Sequence, residues 1–449
     1  MLSRWSARWV PDPFVLALSL TFGVLVIAVL RLAIAGAPGD DGPVWTALAG
    51  WADGFSDSGG LAFALQMGLV LVTGHAMAMS PPVQRGIEIV AGVPKTAAAA
   101  TALVAVVACA AALVHWGLGA IAGALLAREI GRHAGARGVA LHYPLMGAAA
   151  YAGMAVWHGG LSGSAPLVVA EGASADLIGT IPLSETLLSP LNLIVTPVLV
   201  AVIVALFYLM TPKRADQLAP PDPSRFLALP ERARRPGGES IDGPVAWVQE
   251  SSIPGRVVGA AGLLTVLSLV MTDRIGFDIN SVNMVFLFVG LILQGGLRHY
   301  VEAIAEGARG AGAIILQFPL YFGILGVMKA SAMIDWIAGG MVELSSPVTF
   351  PIVAFLSAGL VNLLVPSGGG QWAVQGEILL GAGADLGVAP STTIMAFAYG
   401  DAWTNTLQPF WALPLLGIMG LKAREIIGYT ATLFLAMAVV VPALLLFLT

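Results

Sequence analysis

Charge and cysteine are both scarce in this chain. Only 10% of its 449 residues are charged and 57% are hydrophobic, whereas soluble domains carry about 25% charged residues. The single cysteine, Cys109, excludes an internal disulfide, and its Ala- and Val-rich neighbours predict a small packing residue. The formal charge of −5 says little about partners, because the distribution of charge matters more, and we expect no nucleic-acid partner. Such a composition excludes a water-soluble fold.

Motifs for nucleotides and metals are also missing. No Gly-rich loop precedes Lys-Ser or Lys-Thr, and no spacing of His, Cys or acids is typical of a metal site. We therefore predict neither an ATP-driven pump nor a bound cofactor, apart from the coupling ion discussed below.

Apolar runs are abundant. Charge-poor windows of about 18 or more residues, each long enough to cross a bilayer, recur along the chain. They cover residues 14–30, 61–79, 96–113, 139–157, 187–210, 256–272, 282–296, 312–328, 348–365, 391–416 and 425–448. The first run is longer than a signal-peptide core, so we predict that it is retained as a membrane helix. The pattern predicts an all-α polytopic membrane protein.

The distribution of charge predicts its orientation. Basic residues favour the cytoplasmic side of a membrane, so Arg4 and Arg8 place the N-terminus in the cytoplasm, and the acidic stretch 36–60 is predicted to be an outer loop. Along the resulting path 18 of the 21 Lys and Arg residues are cytoplasmic, the exceptions being Arg31, Arg274 and Lys329. We predict a multi-pass protein of the bacterial inner membrane.

Two apolar segments carry the same sign of charge at both ends. Residues 96–127 are flanked by basic residues and interrupted at 115–119, whereas residues 348–384 are flanked by acids and interrupted at 366–370. A segment that begins and ends on one side must turn back. We predict two re-entrant hairpins that enter from opposite sides, with tips near Trp116 and Ser367.

The two halves of the chain resemble each other. The segments beginning Ala150-Tyr151 and Ala398-Tyr399 align at an offset of 248 residues, and the hairpin tips align at 251. We predict a first repeat over 1–210, a polar cytoplasmic linker over 211–255 and a second repeat over 256–449. An extra crossing inverts the second repeat. Inverted-topology repeats with broken membrane helices are typical of secondary transporters, whose substrate site lies between the repeats.

The helix breaks are the candidate substrate site. No Lys or Arg lies in the middle of a predicted helix, so a bound anion would depend on backbone N–H groups at half-helix starts. Gly- and Ser-rich breaks at 159–164 and 367–371 supply such groups, although glycines also serve close helix packing. The predicted substrate-binding residues are Trp116, Gly117, His158, Ser162, Gly163, Ser164, Ser367, Gly368, Gly369, Gly370, Gln371, Trp403, Thr404 and Asn405.

Asp401 is the one acid well inside a predicted crossing. An intramembrane acid is costly and is a functional hypothesis by default. We predict that it binds a coupling cation, Na⁺ or H⁺; the alternative is a structural hydrogen bond.

Two other classes of protein compete with a carrier. Gly160-Leu161-Ser162-Gly163 fits the GxSG pattern of intramembrane serine peptidases, but the only later histidine is His299, at a predicted cytoplasmic helix end. A passive channel is the other alternative. Breaks entering from both sides favour alternating access, so we predict a carrier and not an enzyme.

Several segments together resemble the short-chain fatty acid transporter family. They include Asn362 to Trp372 (NLLVPSGGGQW), Ala398 to Asp401 (AYGD) and Gln408 to Pro414 (QPFWALP), and the likeness covers essentially the whole chain. The resemblance implies uptake of short-chain fatty acids, membership of the wider ion transporter superfamily, and a homodimer with a scaffold and a moving substrate domain. His158 stands where the family pattern has Gly, and Asp401 where it has Glu, so the chain length of the substrate and the coupling ion stay open.

Together these observations predict a cation-coupled secondary carrier for monocarboxylates such as butyrate or acetoacetate. The alternative is a carrier of C4-dicarboxylates or other small organic anions. Membrane lipid and a second copy of the chain are the expected partners.

Overall fold

The computed structural model describes most of the chain as helix. It describes residues 13–36, 41–170, 180–214, 217–219, 221–222, 243–272, 274–276, 279–343, 345–364, 368–408 and 411–449. Within these ranges the only strand-like pairing is an isolated bridge between Leu141 and Ala219. The predicted all-α class is confirmed. Arg4, Arg8, Ser367 and much of the predicted linker lie outside the described residues.

Nineteen helices can be numbered along the described residues. Those of the first half are α1 Pro13–Ala35, α2 Gly42–Phe55, α3 Ser58–Ala78, α4 Pro81–Ala91, α5 Ala97–Val114, α6 Trp116–Ala136, α7 Tyr143–Tyr151, α8 Ser164–Ala170 and α9 Pro190–Met210. Those of the second half are α10 Pro244–Glu250, α11 Ser252–Met271, α12 Ile279–Leu293, α13 Leu297–Ala330, α14 Met333–Val342, α15 Phe350–Leu364, α16 Gly368–Asp385, α17 Pro390–Asn405, α18 Leu413–Met419 and α19 Ala423–Leu448.

Five of the described helices are long and apolar enough to cross a bilayer. They are α1, from Ala17 onward, together with α5, α9, α11 and α19. Shorter apolar stretches at Asn280–Leu293, Ile315–Ala330 and Phe350–Leu364 accompany them. Local sequence explains their ends: Ser189 accepts a hydrogen bond from the Asn192 N–H, and Pro190 occupies the first turn of α9, where no N–H is required. The chain is a multi-pass membrane protein.

One sequence-based expectation about the helices is wrong. The predicted outer loop 36–60 contains helix α2, because its apolar residues and glycines allow it to pack closely on α13. The predicted apolar run 312–328 is helical but belongs to a longer continuous helix, α13, of 34 residues. The charged N-terminal part of α13 and its apolar part are therefore one helix.

The helix breaks occur close to where glycine, serine and charge patterns place them. α5 and α6 meet at His115, which has extended backbone angles, and α15 and α16 are separated by residues 365–367, outside the described residues. α7 gives way to two 3-10 turns before α8, and α17 is separated from α18 by residues 406–412. How these segments run relative to the membrane, and whether the repeats are inverted, stay predictions.

The order of elements is the same in both halves. At the spacing of 251 residues α4, α5 and α6 correspond to α14, α15 and α16; at 248 residues α7 and α8 correspond to α17 and α18. The sequence likeness between the halves therefore extends to their secondary structure.

The helices pack as two bundles. α1, α2, α3, α11, α12 and α13 form the first bundle, whereas α5 to α9 and α15 to α19 form the second. α4 and α14 contact helices of both bundles, and direct packing between the bundles includes α13 against α18 and α3 against α6. The four breaks described above belong to the second bundle, and a bend of 45° divides Gly42–Ala62 from Ala64–Met77 in the first bundle.

Candidate functional site

A cavity of about 660 Å³ lies between the two bundles. The lining residues from the first bundle include the glycines Gly50, Gly54 and Gly326 and two side chains of opposite charge, Asp53 and Lys329. The second bundle contributes residues at or beside its helix breaks: Trp116, Trp157, Ser164, Gly368, Gly369 and Trp411. The cavity therefore brings breaks from both halves of the chain to one place.

Indole rings form the apolar part of the wall. Trp116 and Trp411 lie edge to face with ring centroids 5.2 Å apart, and Phe318 contacts Trp411 at 6.0 Å. Edge-to-face pairs of this kind are favourable and rigid. They offer a fixed apolar surface for a short acyl chain.

Charged side chains lie at the exposed part of the cavity. Lys329 occupies the last turn of α13 and is exposed, as are Asp53 and Asp57. The Arg31 guanidinium donates to the carbonyl oxygen of Ser331, which ends the same helix. A helix C-terminus favours cations. Arg31 and Lys329, two of the three basic residues that the predicted topology places outside the cytoplasm, both lie at the C-terminal end of α13.

Ser162 joins the break between α5 and α6 to the break between α7 and α8. Its hydroxyl oxygen accepts a hydrogen bond of 3.0 Å from the Trp116 N–H, and the Leu161 N–H donates to the Leu113 carbonyl at 2.7 Å. The Gly117 N–H donates to Nδ1 of His115 at 3.1 Å. The first amides of α6 are thus already satisfied by the protein.

His158 and Asp401 meet in the interior of the second bundle. Neither side chain is exposed, and Nδ1 of His158 lies 3.3 Å from Oδ2 of Asp401. The same nitrogen lies 2.9 Å from the Ala398 carbonyl oxygen, and Nε2 lies 3.4 Å from the Ser164 hydroxyl. Asn405 donates to Oδ2 of Asp401 at 3.1 Å. One residue from the first broken span and one from the second therefore form a single buried polar pair.

Gly368 packs against this pair. A Cβ on Gly368 would lie 2.7 Å from Nε2 of His158 and 2.9 Å from the Ser164 hydroxyl oxygen, closer than real Cβ atoms approach such groups. Only glycine allows the start of α16 to approach His158 this closely.

Asn362 holds the end of α17 against α15. Its side-chain amide nitrogen lies within 3.0 Å of the Asp401 carbonyl oxygen, the Thr404 hydroxyl and the Asn405 side-chain oxygen. Gln408 donates to the carbonyl oxygens of Asn362 and Leu363. Backbone groups freed by the break are thereby paired inside the protein, as membrane-embedded structure requires.

Each half braces the break of the other half through a tyrosine. The Tyr151 hydroxyl lies 2.8 Å from the carbonyl oxygens of both Asn405 and Gln408. Tyr399, its counterpart in the second half, donates at 2.9 Å to the side-chain oxygen of Asn192, whose amide donates to the Gly159 carbonyl.

The predicted site residues separate into three groups. Trp116, Ser164, Gly368 and Gly369 line the cavity. Buried behind them or around the breaks lie Gly117, His158, Ser162, Gly163, Asp401, Thr404 and Asn405. The third group consists of residues held by other contacts or not described.

Two members of that third group pack away from the cavity. The Gln371 amide donates to the Ala358 carbonyl and to Gln375, and Trp403 stacks between Phe355 and Phe434 while donating to the Phe434 carbonyl. Gly370 contributes backbone to the first turn of α16. Ser367 lies outside the described residues.

Sequence reasoning missed Lys329 and Asp53 as cavity residues. Lys329 had a signal, since it was one of three basic residues on the wrong side of the predicted path. Asp53 had no such signal, because it lies in the stretch 36–60, which was predicted to be an outer loop.

One further cluster resembles a metal site. Ligand atoms of Glu88, Glu129 and His133 lie within 4.8 Å of one another. Arg132 contacts both carboxylates, and its hydrogen bond to Glu129 raises the pKa of the guanidinium. A permanent cation therefore already compensates these acids, which fits an ion-pair cluster better than a metal centre.

Comparisons of the sequence with known proteins point to one family. The family model described as short chain fatty acid transporter matches residues 1–448. A curated protein of Escherichia coli K12, named as a candidate short-chain fatty acid transporter, is 35% identical over 98% of this chain and 96% of its own length. A protein of Haemophilus influenzae with the same name is 33% identical over 97% of this chain and 96% of its own length.

Solved structures are more distant. The crystal structure of the Alcanivorax borkumensis YdaH transporter is 17% identical, with 98% of this chain and 97% of that chain covered and a TM-score of 0.45. Neisseria gonorrhoeae MtrF is 15% identical, with 99% and 96% covered and a TM-score of 0.33.

The family match decides between the classes of protein that the GxSG pattern left open. A model that matches nearly the whole chain, and relatives that cover almost all of it, indicate a transporter and not a peptidase. The chain belongs to the short-chain fatty acid transporter family.

Proposed function

We propose that this protein carries short-chain monocarboxylates such as butyrate or acetoacetate across the bacterial inner membrane, coupled to a cation. The observation that carries the proposal is the cavity between the bundles, where helix breaks, three tryptophans and Lys329 come together. The relatives' names refer to short-chain fatty acids, the class of acid to which butyrate belongs.

The chemistry of the cavity suits a small anion with an apolar tail. The Ser164 hydroxyl and the Lys329 ammonium can donate to a carboxylate, and the start of the 18-residue helix α16 adds a favourable dipole. Trp116, Trp157 and Trp411 can pack on the acyl chain. Because the first amides of α6 are already bonded, the second hairpin contributes more to anion binding than the first.

The two-bundle arrangement supports alternating access. The cavity lies between the first bundle and a second bundle that contains the four Gly- and Ser-rich or hairpin breaks described above, and α4 and α14 connect the two bundles. Movement of the second bundle as an elevator along the first, with the first bundle as the scaffold of a homodimer in lipid, would carry the site across the membrane. Asp53, Asp57 and Lys329 lie on the predicted outer side, so this cavity would be the outward-facing one.

Asp401 is the proposed coupling residue. Its carboxylate is fully buried and pairs with His158, a residue of the other broken span. A cation bound there would join the two spans and compensate a charge that is costly in the membrane.

Binding to the purified full-length protein in lipid nanodiscs tests the proposal. Labelled butyrate should bind saturably, Ser164→Ala and Lys329→Gln should weaken binding, and Lys213→Gln, an exposed lysine at the start of the linker, should not. Protein-free nanodiscs correct for partition of the acid into lipid. Absence of saturable binding would overturn the proposal.

Competition distinguishes the alternative substrate. Succinate carries a second carboxylate, and the described cavity lining offers one basic side chain, Lys329. We expect unlabelled butyrate and acetoacetate to displace the label more effectively than succinate. Stronger displacement by succinate would replace the proposal with a C4-dicarboxylate carrier.

A further inference from the structure

We propose that Ser164, His158 and Asp401 form a proton relay that leads from the cavity to the buried carboxylate, so that the coupling ion is a proton taken up with each substrate. This inference rests on the proposed function, because it takes the cavity between the bundles as the substrate site.

The relay follows from three positions. Ser164 lines the cavity, its hydroxyl oxygen lies 3.4 Å from Nε2 of His158, and Nδ1 on the opposite edge of the ring lies 3.3 Å from Oδ2 of Asp401. His158 and Asp401 are themselves fully buried. The imidazole is therefore the link between a group that contacts the cavity and a group that does not.

The surroundings of His158 define its tautomer. The Ala398 carbonyl oxygen, 2.9 Å from Nδ1, can only accept a hydrogen bond, so Nδ1 carries the hydrogen. In the neutral ring Nε2 then has a free lone pair, and it faces Ser164 and Gly368. The Trp157 ring lies against the imidazole at a centroid distance of 3.7 Å, with the two ring planes tilted by 36°. The basic nitrogen thus points towards the cavity side.

Proton transfer through this arrangement is balanced. A hydronium ion that enters the cavity from bulk solvent gives a proton to the Ser164 hydroxyl and leaves as water, while the hydroxyl passes its own proton to Nε2 and so is restored. The resulting imidazolium gives up the Nδ1 proton to Oδ2 of Asp401, which leaves a neutral carboxylic acid and a neutral imidazole protonated at Nε2. Release follows the same steps in reverse.

Charge explains why a proton should accompany the substrate. Asp401 is the only acid or base among the described residues within ion-pairing distance of His158. The other partners of His158, Ala398, Ser164 and Trp157, are uncharged, as is Asn405, which donates to Asp401. An ionised Asp401 gives the empty site one negative charge. Binding of one carboxylate together with one proton adds no net charge to the site. The free-energy cost of moving the site's charge through an apolar environment is therefore the same with and without substrate.

Sodium is the rival ion at the same place. Oδ1 of Asp401 and the side-chain oxygens of Asn362 and Gln408 are buried and have no hydrogen-bond partner within the described part of the chain. Oxygen atoms of this kind suit a hard cation. The histidine favours the proton, because a ring that can become cationic lies directly beside the carboxylate that Na⁺ would need.

Calorimetry on the purified full-length protein separates the two ions. Butyrate is titrated into protein at fixed pH in several buffers of different ionisation enthalpy, with NaCl or choline chloride. We expect uptake of about one proton per butyrate bound and a Kd that rises about tenfold per pH unit in the alkaline range, with no effect of Na⁺. Binding without proton uptake, or binding that requires Na⁺, overturns the relay and leaves the proposed function intact. Absence of butyrate binding under every condition overturns both.

A variant tests the role of the ring itself. Asn at position 158 can keep a donor near the Ala398 carbonyl but has no counterpart of Nε2, so His158→Asn should still bind butyrate, more weakly, with proton uptake and pH dependence lost. His299→Asn, the same change in the first turn of α13, should retain both. Proton uptake of wild-type size in His158→Asn would overturn the proposal, and the wild-type titration remains decisive if this variant does not fold.

Discussion

The hydroxyl of Tyr151 lies 2.8 Å from the carbonyl oxygen of Asn405, although the two residues are 254 positions apart. Tyr399 makes the corresponding contact in the opposite direction, to Asn192. A side chain from one half thus satisfies polar groups at the break of the other half. The two breaks are therefore joined by hydrogen bonds between the halves.

Removal of the Tyr151 hydroxyl should loosen this connection. In Tyr151→Phe the aromatic ring stays, but the buried carbonyl oxygens of Asn405 and Gln408 lose their donor. We expect a loss of stability of about 1–3 kcal/mol, seen as a lower unfolding temperature of the purified protein in detergent.

Tyr208→Phe is the matched control. Tyr208 lies on α9 and is half-exposed, so its hydroxyl should contribute little. Equal unfolding temperatures for the Tyr151 and Tyr208 variants would show that the bracing contact is not stabilising.

Neighbouring glycines at the start of α16 should respond differently to a methyl group. In Gly368→Ala the Cβ would collide with His158 and Ser164, whereas in Gly369→Ala the nearest atom is the Ser164 Cβ, at 3.8 Å. We expect Gly368→Ala to reduce butyrate affinity by about tenfold or more, which corresponds to the 1–3 kcal/mol typical of overpacking. Gly369→Ala should bind butyrate nearly as well as the wild type. Equal affinities in the two variants would place the substrate away from this helix start.

Local signals predicted the breaks, whereas partners across the molecule could not be predicted. The glycine and serine runs and the 248- and 251-residue offsets indicated where helices end, because propensity and spacing are properties of the chain itself. The partner of Ser162, the Trp116 N–H, depends on how the start of α6 packs against the break between α7 and α8. Ser162 was therefore predicted as a ligand donor, with no sign that its oxygen already accepts a hydrogen bond.

The scarcity and distribution of charged residues predicted the class of protein correctly, but they did not predict the structure of every segment. Helix α2 was predicted as a loop, since the stretch 36–60 was judged by the sign of its charge and not by its apolar residues. Lys329 was treated as an exception to the topology, and only the packing of α13 beside the second bundle shows that it lines the cavity.

Neutralisation of Lys329 should weaken capture of the anion. Lys329 is exposed at the cavity and provides the basic side chain of its described lining. We expect Lys329→Gln to raise the Kd for butyrate by about tenfold at low ionic strength, and the difference from wild type to shrink with added salt, because exposed charges are screened. Lys329→Arg should keep most of the affinity. A Kd unaffected by the loss of charge would show that the carboxylate binds deeper, at the break residues.

The close crossing of α2 and α13 should tolerate no side chain at Gly326. A Cβ there would meet the Gly50 carbonyl oxygen and would lie 2.8 Å from the Gly54 Cα, both backbone atoms that cannot rotate away. Gly50 and Gly54 are four residues apart on α2, the spacing that lets membrane helices approach closely. Gly326→Ala should therefore separate the two helices, lower the unfolding temperature and distort the first-bundle wall of the cavity, at a cost of about 1–3 kcal/mol. Gly312→Ala lies on the same helix with no atom within 4 Å of the added Cβ, so it should leave stability unchanged or raise it by up to about 1 kcal/mol through better helix propensity. Equal unfolding temperatures in the two variants would show that α2 and α13 do not cross this closely in the protein. The first bundle would then not be the proposed scaffold on one side of the cavity.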